Sequence, residues 1–162
     1  TIASNETNSI FMGDPVVLNA NGSISRGSSA GAELVGVFNG CFYTDPTTQK
    51  PTWKNYYPGS VVASDITAFV LDDPDIVGKM DCDGAFAVAD IFKDFNVTNV
   101  SGNTQSGISE VQLDFSASGL TIAFMLQAID ISQNPDNDEA GAANVNVLVR
   151  INNHFYRLNT GL

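Results

Sequence analysis

The chain holds a single histidine, and an imidazole is the first place to look for chemistry. His154 lies in the run Asn152-Asn153-His154-Phe155-Tyr156-Arg157. A catalytic histidine needs a nucleophile in reach and an acid to orient it, and no Gly-x-Ser-x-Gly elbow supplies the first. By alternation His154 falls on the outward side of the last apolar run, which assigns it to a solvent face. Three acidic runs come next: Asp72-Asp73-Pro74-Asp75, Asp81-Cys82-Asp83 and Asp136-Asn137-Asp138-Glu139. Hard cations such as Ca²⁺ want several oxygens on one loop. The third run has Asp-x-Asp spacing, with Gly141 sixth from Asp136, but the twelfth position is Val147 and not a bidentate Glu. Acids that satisfy their own turn amides account for these runs better. Paired acids also serve glycosidases, but every pair here sits on turns of unknown separation. No metal site, cofactor or catalytic residue is expected, and the chain does not read as an enzyme.

Cys41 and Cys82 form no C-x-x-C pair. Cys41 lies inside an uncharged apolar run, where a thiol packs as a small hydrophobe, so it is expected to be buried and not bridged to Cys82. Asn96-Val97-Thr98 and Asn99-Val100-Ser101 match the glycosylation sequon. The N-terminus TIASNETNSI lacks the basic start and apolar core of a signal peptide, so both matches read as chance. Trp53, Tyr56 and Tyr57 remain. Three aromatics so close together suit a sugar-stacking platform, a cap on the core or an interface, since aromatics combine area with a polar tip. Cap or interface is the preferred account.

These residues need a scaffold. Glu33 to Gly59 is its centre: Leu34 to Tyr43 reads as a central strand, with Leu34, Phe38 and Phe42 on one side and Val35, Val37, Cys41 and Tyr43 on the other. Gly36 and Gly40 suggest close backbone approach or a bend. The aromatic half that follows reads as a loop folded over the strand's end. Upstream, Val16 to Asn19 and Ser23 to Arg26 flank Asn21-Gly22, a strong hairpin signal. Downstream, strands are expected at Ile66 to Leu71, Val77 to Asp81, Val111 to Phe115 and Leu120 to Ile131. The last runs from Val145, with Val147, Val149, Ile151 and Phe155 inward and Asn146, Arg150, Asn152 and His154 outward. Ala85, Val88, Ala89, Phe92 and Phe95 fall at helical spacing after Asp83, so one short helix is expected over about residues 85–95.

The expected fold is all-β: a single-domain β-barrel or sandwich, with residues 1–12 as an N-terminal arm and 13–162 as the β domain. The arm pairs a polar lead with the apolar trio Ile10, Phe11 and Met12. Such a trio gains most by strand addition to a neighbour, and its removal is expected to leave the domain folded. Composition narrows the partners. Eighteen acids against seven Lys and Arg give a formal charge of −11, which opposes a nucleic-acid backbone or an anionic membrane. No apolar run is long enough for a spanning helix.

Several segments carry a likeness: GDPVVLNANGSI, then LVGVFNGCFYTDPTTQKPTWKNYYPG, an Asp-Asp-Pro turn, GISEVQLD and VNVLVRINNH. Their order, from Gly13 to His154, resembles a group of short proteins encoded beside the major capsid protein in tailed bacteriophages of aquatic bacteria. The resemblance implies a β-rich structural component of the virion, a capsid decoration or cement protein. Such a protein sits on the outer capsid surface, often as a homotrimer, with the major capsid protein as partner. The family has no site motif, so no functional residue carries over. Ile10, Phe11, Met12, Trp53, Tyr56 and Tyr57 stand as the candidate interface. A carbohydrate-binding or host-attachment module is the alternative.

Overall fold

The computed structural model describes residues 1–119, 124–135 and 137–157. The chain is all-β, and its strands form two larger antiparallel sheets and a small hairpin. The first sheet is built on β3 (Leu34–Thr44). The hairpin β1 (Pro15–Leu18) and β2 (Ile24–Arg26) docks on the start of β3, β4 (Pro51–Lys54) follows on the same edge, and β5 (Thr67–Leu71) takes the other edge. The hairpin turns as Asn21-Gly22 predicts, with Gly22 at φ 78°.

β3 does not keep one alternation. Gly36 has φ 153° and Gly40 has φ 116°, and the pairing shifts register beside each. Each slip hands the next side chain to the opposite face. Leu34, Phe38 and Phe42, expected on one side, therefore part company. Leu34 joins the core of the second sheet, Phe38 joins that of the first, and Phe42 faces outward. A Cβ on Gly36 would lie 2.2 Å from the Leu71 carbonyl oxygen, so the close approach expected at this glycine is real.

The second sheet runs β10 (Gln112–Gly119), β7 (Asp94–Thr98), β11 (Leu126–Ile131), β12 (Asn146–Ile151), β6 (Val77–Asp81). It curls until its edges touch. A parallel bridge joins Cys82 to Leu113, and the Asp83 N–H donates to the Leu113 carbonyl at 3.0 Å. The concave side encloses Phe86, Phe95, Leu113, Met125, Val147 and Ile151, the core of a small, partly closed barrel. Residues 120–123, the start of the strand expected from Leu120, lie outside the described residues.

The helix expected over residues 85–95 does not form. The chain makes a single 3-10 turn at Val88–Asp90 and enters β7 at Asp94. The same apolar spacing serves a strand: Phe95 and Val97 alternate into the barrel, while Val88 and Phe92, which the helix would have buried, are exposed. Barrel closure wins over a weak local preference.

Nor are residues 1–12 a free arm. Ile2 bridges Ile24, Ile10 exchanges main-chain hydrogen bonds with Tyr57, and Met12 bridges Ile108. Ile10 and Phe11 are buried and Met12 is half-buried. Phe11 is held by the hairpin β8 (Gly102–Asn103) and β9 (Ile108–Ser109), where a Cβ on Gly102 would lie 2.3 Å from its ring. The segment covers the inner face of the first sheet, and the trio belongs to the chain's own core.

Candidate interaction surface

Most candidates for chemistry prove structural. His154 is buried, not solvent-facing: β12 ends at Ile151, the chain bends through Asn152 and Asn153, and alternation no longer applies. Its Nδ1 accepts the Tyr156 N–H at 3.1 Å. Burial, then repulsion from Arg157, pulls its pKa below the usual histidine value against the opposing pull of Asp72 and Asp73. The acids of the 72–75 turn are engaged: Asp73 accepts the Asp75 N–H, Asp72 accepts the Tyr156 hydroxyl and Asp75 pairs with Arg157. Asp83 caps the Phe115 N–H at 2.7 Å. Asp136 lies outside the described residues. Among the described residues, no three His, Cys, Asp or Glu side chains gather into a metal-binding group.

Both cysteines are buried and free, in different cores: Cys41 in that of the first sheet, Cys82 in the barrel. Burial pushes the Cys41 thiol up to about 11, so it stays protonated and unreactive at neutral pH. Asn96 of the first sequon is buried and accepts the Gly31 N–H, which removes it as a glycan acceptor.

One acid escaped the sequence reading. Asp14 is fully buried and accepts the Phe11 N–H at 2.8 Å and the Ser109 hydroxyl at 2.5 Å. It thus ties the N-terminal segment to the β8–β9 hairpin, and burial raises its pKa. Only its place in the Gly-Asp-Pro turn hinted at a structural role.

The six candidate interface residues divide sharply. Ile10, Phe11 and Tyr57 are buried, Met12 is half-buried, and Tyr56 stacks on Phe11 at 5.5 Å beneath the Lys54 ammonium. The Tyr57 hydroxyl donates to the Glu6 carbonyl and accepts the Val61 N–H, a cap on the first core and no sugar platform. Trp53 alone is open, at 57%. It lies on β4 and not on a loop, because Asp45 accepts the Thr47 and Thr48 amides in a tight turn that returns the chain alongside β3.

Trp53 stands directly opposite Phe42, itself opposite Thr67 of β5. Phe69, 46% exposed, and Leu71 continue the same side. The outer face of the first sheet is therefore an open patch of Phe42, Trp53, Phe69 and Leu71, edged by Asn39, Pro51 and Thr67, with no charged residue among these positions; the Asp65 carboxylate, bound to Thr44, borders it. Sequence reasoning missed Phe42 because the slip at Gly40 turns it outward; the exposed alternation Thr67, Phe69, Leu71 was the available signal. Comparison with family models, with curated proteins and with solved structures finds no match to this chain.

Proposed function

We propose that this chain is a structural virion protein, a decoration or cement protein on the outer surface of a tailed-phage capsid, with the major capsid protein as its partner. The observation that carries the proposal is the uncharged apolar face of the β3–β4–β5 sheet. On a chain of charge −11, a patch with acid only at its border, where Asp65 is already engaged by Thr44, marks a place where another protein can come close with little repulsion. Its four large side chains expose roughly 300–450 Å² of apolar surface, about half of what one partner contributes to a standard stable interface. One such contact is weak. A repeating shell offers many, and multiple copies or a trimer reinforce one another by effective concentration. The resemblance from Gly13 to His154 points the same way, and its segments supply β1, β3, β4, β9 and β12 and the start of β10. A binding role fits engaged acids and a buried histidine better than an enzymatic one.

The test is co-purification with assembled shells at a fixed ratio to the shell subunit. Trp53→Asp with Phe69→Asp is expected to abolish attachment while the protein stays folded; undiminished attachment would sink the proposal. The cross-strand pairing of exposed Phe42 with Trp53 also favours a second reading, a carbohydrate-binding or host-attachment module stacking sugar rings on this face. Glycan-array binding that is lost in Trp53→Ala would replace the first reading with the second.

A further inference from the structure

At Leu71 the apolar face opens into a groove of about 960 Å³ between the first sheet and the seam of the barrel. Its accessible apolar lining is Val37, Leu71, Met80 and Ile108, above the buried Leu34 and Ile151. One wall is β6, paired with β12 on a single edge. The phase of that ladder fixes what β6 offers. The Cys82 N–H donates to the Val145 carbonyl at 3.1 Å, and the register continues through Met80–Val147 and Gly78–Val149. The alternate residues, Val77 and Lys79, therefore turn their main-chain N–H and C=O groups away from β12, toward the groove. No partner meets them among the described residues. β6 pairs with β10 only beyond its end, at the Cys82–Leu113 bridge, and upstream of it no described strand pairs with its free edge.

We infer that the groove is a strand acceptor: an extended segment of the docked shell subunit adds to β6, pairs with Val77 and Lys79, and lays alternate apolar side chains on the groove's apolar lining. The inference rests on the shell-attachment reading, since the groove is continuous with the attachment face at Leu71. Charge specifies the segment further. Lys79 and Arg150 are diagonal neighbours on the β6–β12 ladder, both exposed, and neither forms an ion pair with a carboxylate among the described residues. Arg150 already donates its Nε–H to Gln127 at 3.0 Å, and Asp81 and Glu110 also line the groove, so Lys79 calls for an acidic side chain on the incoming segment opposite it and for none beside Asp81.

Amide hydrogen exchange on the full chain, alone and bound to assembled shells stripped of this protein, tests the inference. The Val77 and Lys79 amides are expected to exchange rapidly in the free protein and to slow at least about tenfold on the shell. Lys79→Pro removes the outward N–H at an edge position that tolerates proline, and is expected to weaken shell binding about tenfold; Lys79→Ala, which keeps the N–H, weakens it less than about threefold. Should the proline variant misfold, exchange on the unaltered chain still decides. Shell binding without protection of these amides overturns the strand acceptor and leaves the attachment reading intact. Absence of shell binding overturns both. Protection that arises with protein concentration alone makes the occupant a second copy, and overturns the assignment to the shell subunit.

Discussion

The two sheets solve the same problem in opposite ways. The second curls on itself, so its concave side is covered by its own strands and the loop carrying Phe86. The first stays open and borrows its inner cover from elsewhere, from residues 1–12 and from the segment around Tyr57, Val61 and Ile66. Its outer face receives no cover from the described residues. A sheet that curls on itself buries most of its own apolar side and leaves only an edge open, while an uncurled one with one bare apolar side leaves a whole face for a partner. The position of the binding face thus follows from which sheet closes.

The sharpest way to break this comparison is to remove the borrowed cover. Deleting residues 1–12 strips Ile2 and Ile10 from the first core and the buried Phe11 from its place against Tyr56 and Gly102. Losses of about 2–5 kcal/mol for each isoleucine and about 3–5 kcal/mol for phenylalanine exceed what a domain of ordinary stability tolerates. The truncated chain should show no cooperative urea transition by circular dichroism. A folded, stable truncation would return the segment to the status of an arm.

A smaller effect is expected at the slip in β3. Gly36→Ala places a Cβ against the Leu71 carbonyl at a φ that side chains avoid, and should cost about 3 kcal/mol in urea denaturation. An unchanged midpoint would mean that β5 moves aside freely and that the first sheet is softer than described.

The third test reads the end of β12 through pH. The His154 pKa is lowered in the fold, so below the unfolded value of 6.5 the unfolded chain takes up its proton first. Stability contributed by the neutral ring is complete above pH 6.5 and declines as pH falls from 6.5 toward the lowered folded value. Melting temperature should drop between pH 7 and pH 5, and the slope should flatten in His154→Gln. Asp14, with its raised pKa, acts in the opposite sense between its unfolded value of 3.8 and its raised folded value, so Asp14→Asn should steepen the loss of stability with acid in that window.

The smallest effect belongs to the bare face. Phe42→Ser with Trp53→Ser should change stability by no more than about 1 kcal/mol, the scale of one cross-strand pair. Binding of a hydrophobic dye should fall in the same variant. A large loss of stability would show that this side is already covered.

How far the sequence could be read depended on whether alternation persisted. β12 was legible because Val147, Val149 and Ile151 keep one phase against one core. β1 and β2 were legible because Asn21-Gly22 sets their turn. β3 was legible as a strand but not in its facing, because two glycines change its phase and no residue type reports by how much. Residues 85–95 misled because Phe92 adopts φ 68°, a backbone choice that a helical wheel does not contain. His154 misled because a strand's parity ends where the strand ends. The attachment face required knowing which side of β4 and β5 the rest of the chain covers, and that is a long-range fact.

The slips in β3 also bear on how the molecule folds. Leu34 packs in the barrel and donates its N–H to the Asn153 carbonyl, while its neighbour Val35 packs in the first sheet's core. One strand is thus a shared wall between two hydrophobic cores, and neither can be completed until residues more than a hundred positions apart have met. Long-range closure of this kind slows folding and discourages stable half-folded forms. The chain should unfold as one cooperative unit, with a single kinetic phase reported alike by Trp53 fluorescence on the first sheet and by exchange of the barrel amides.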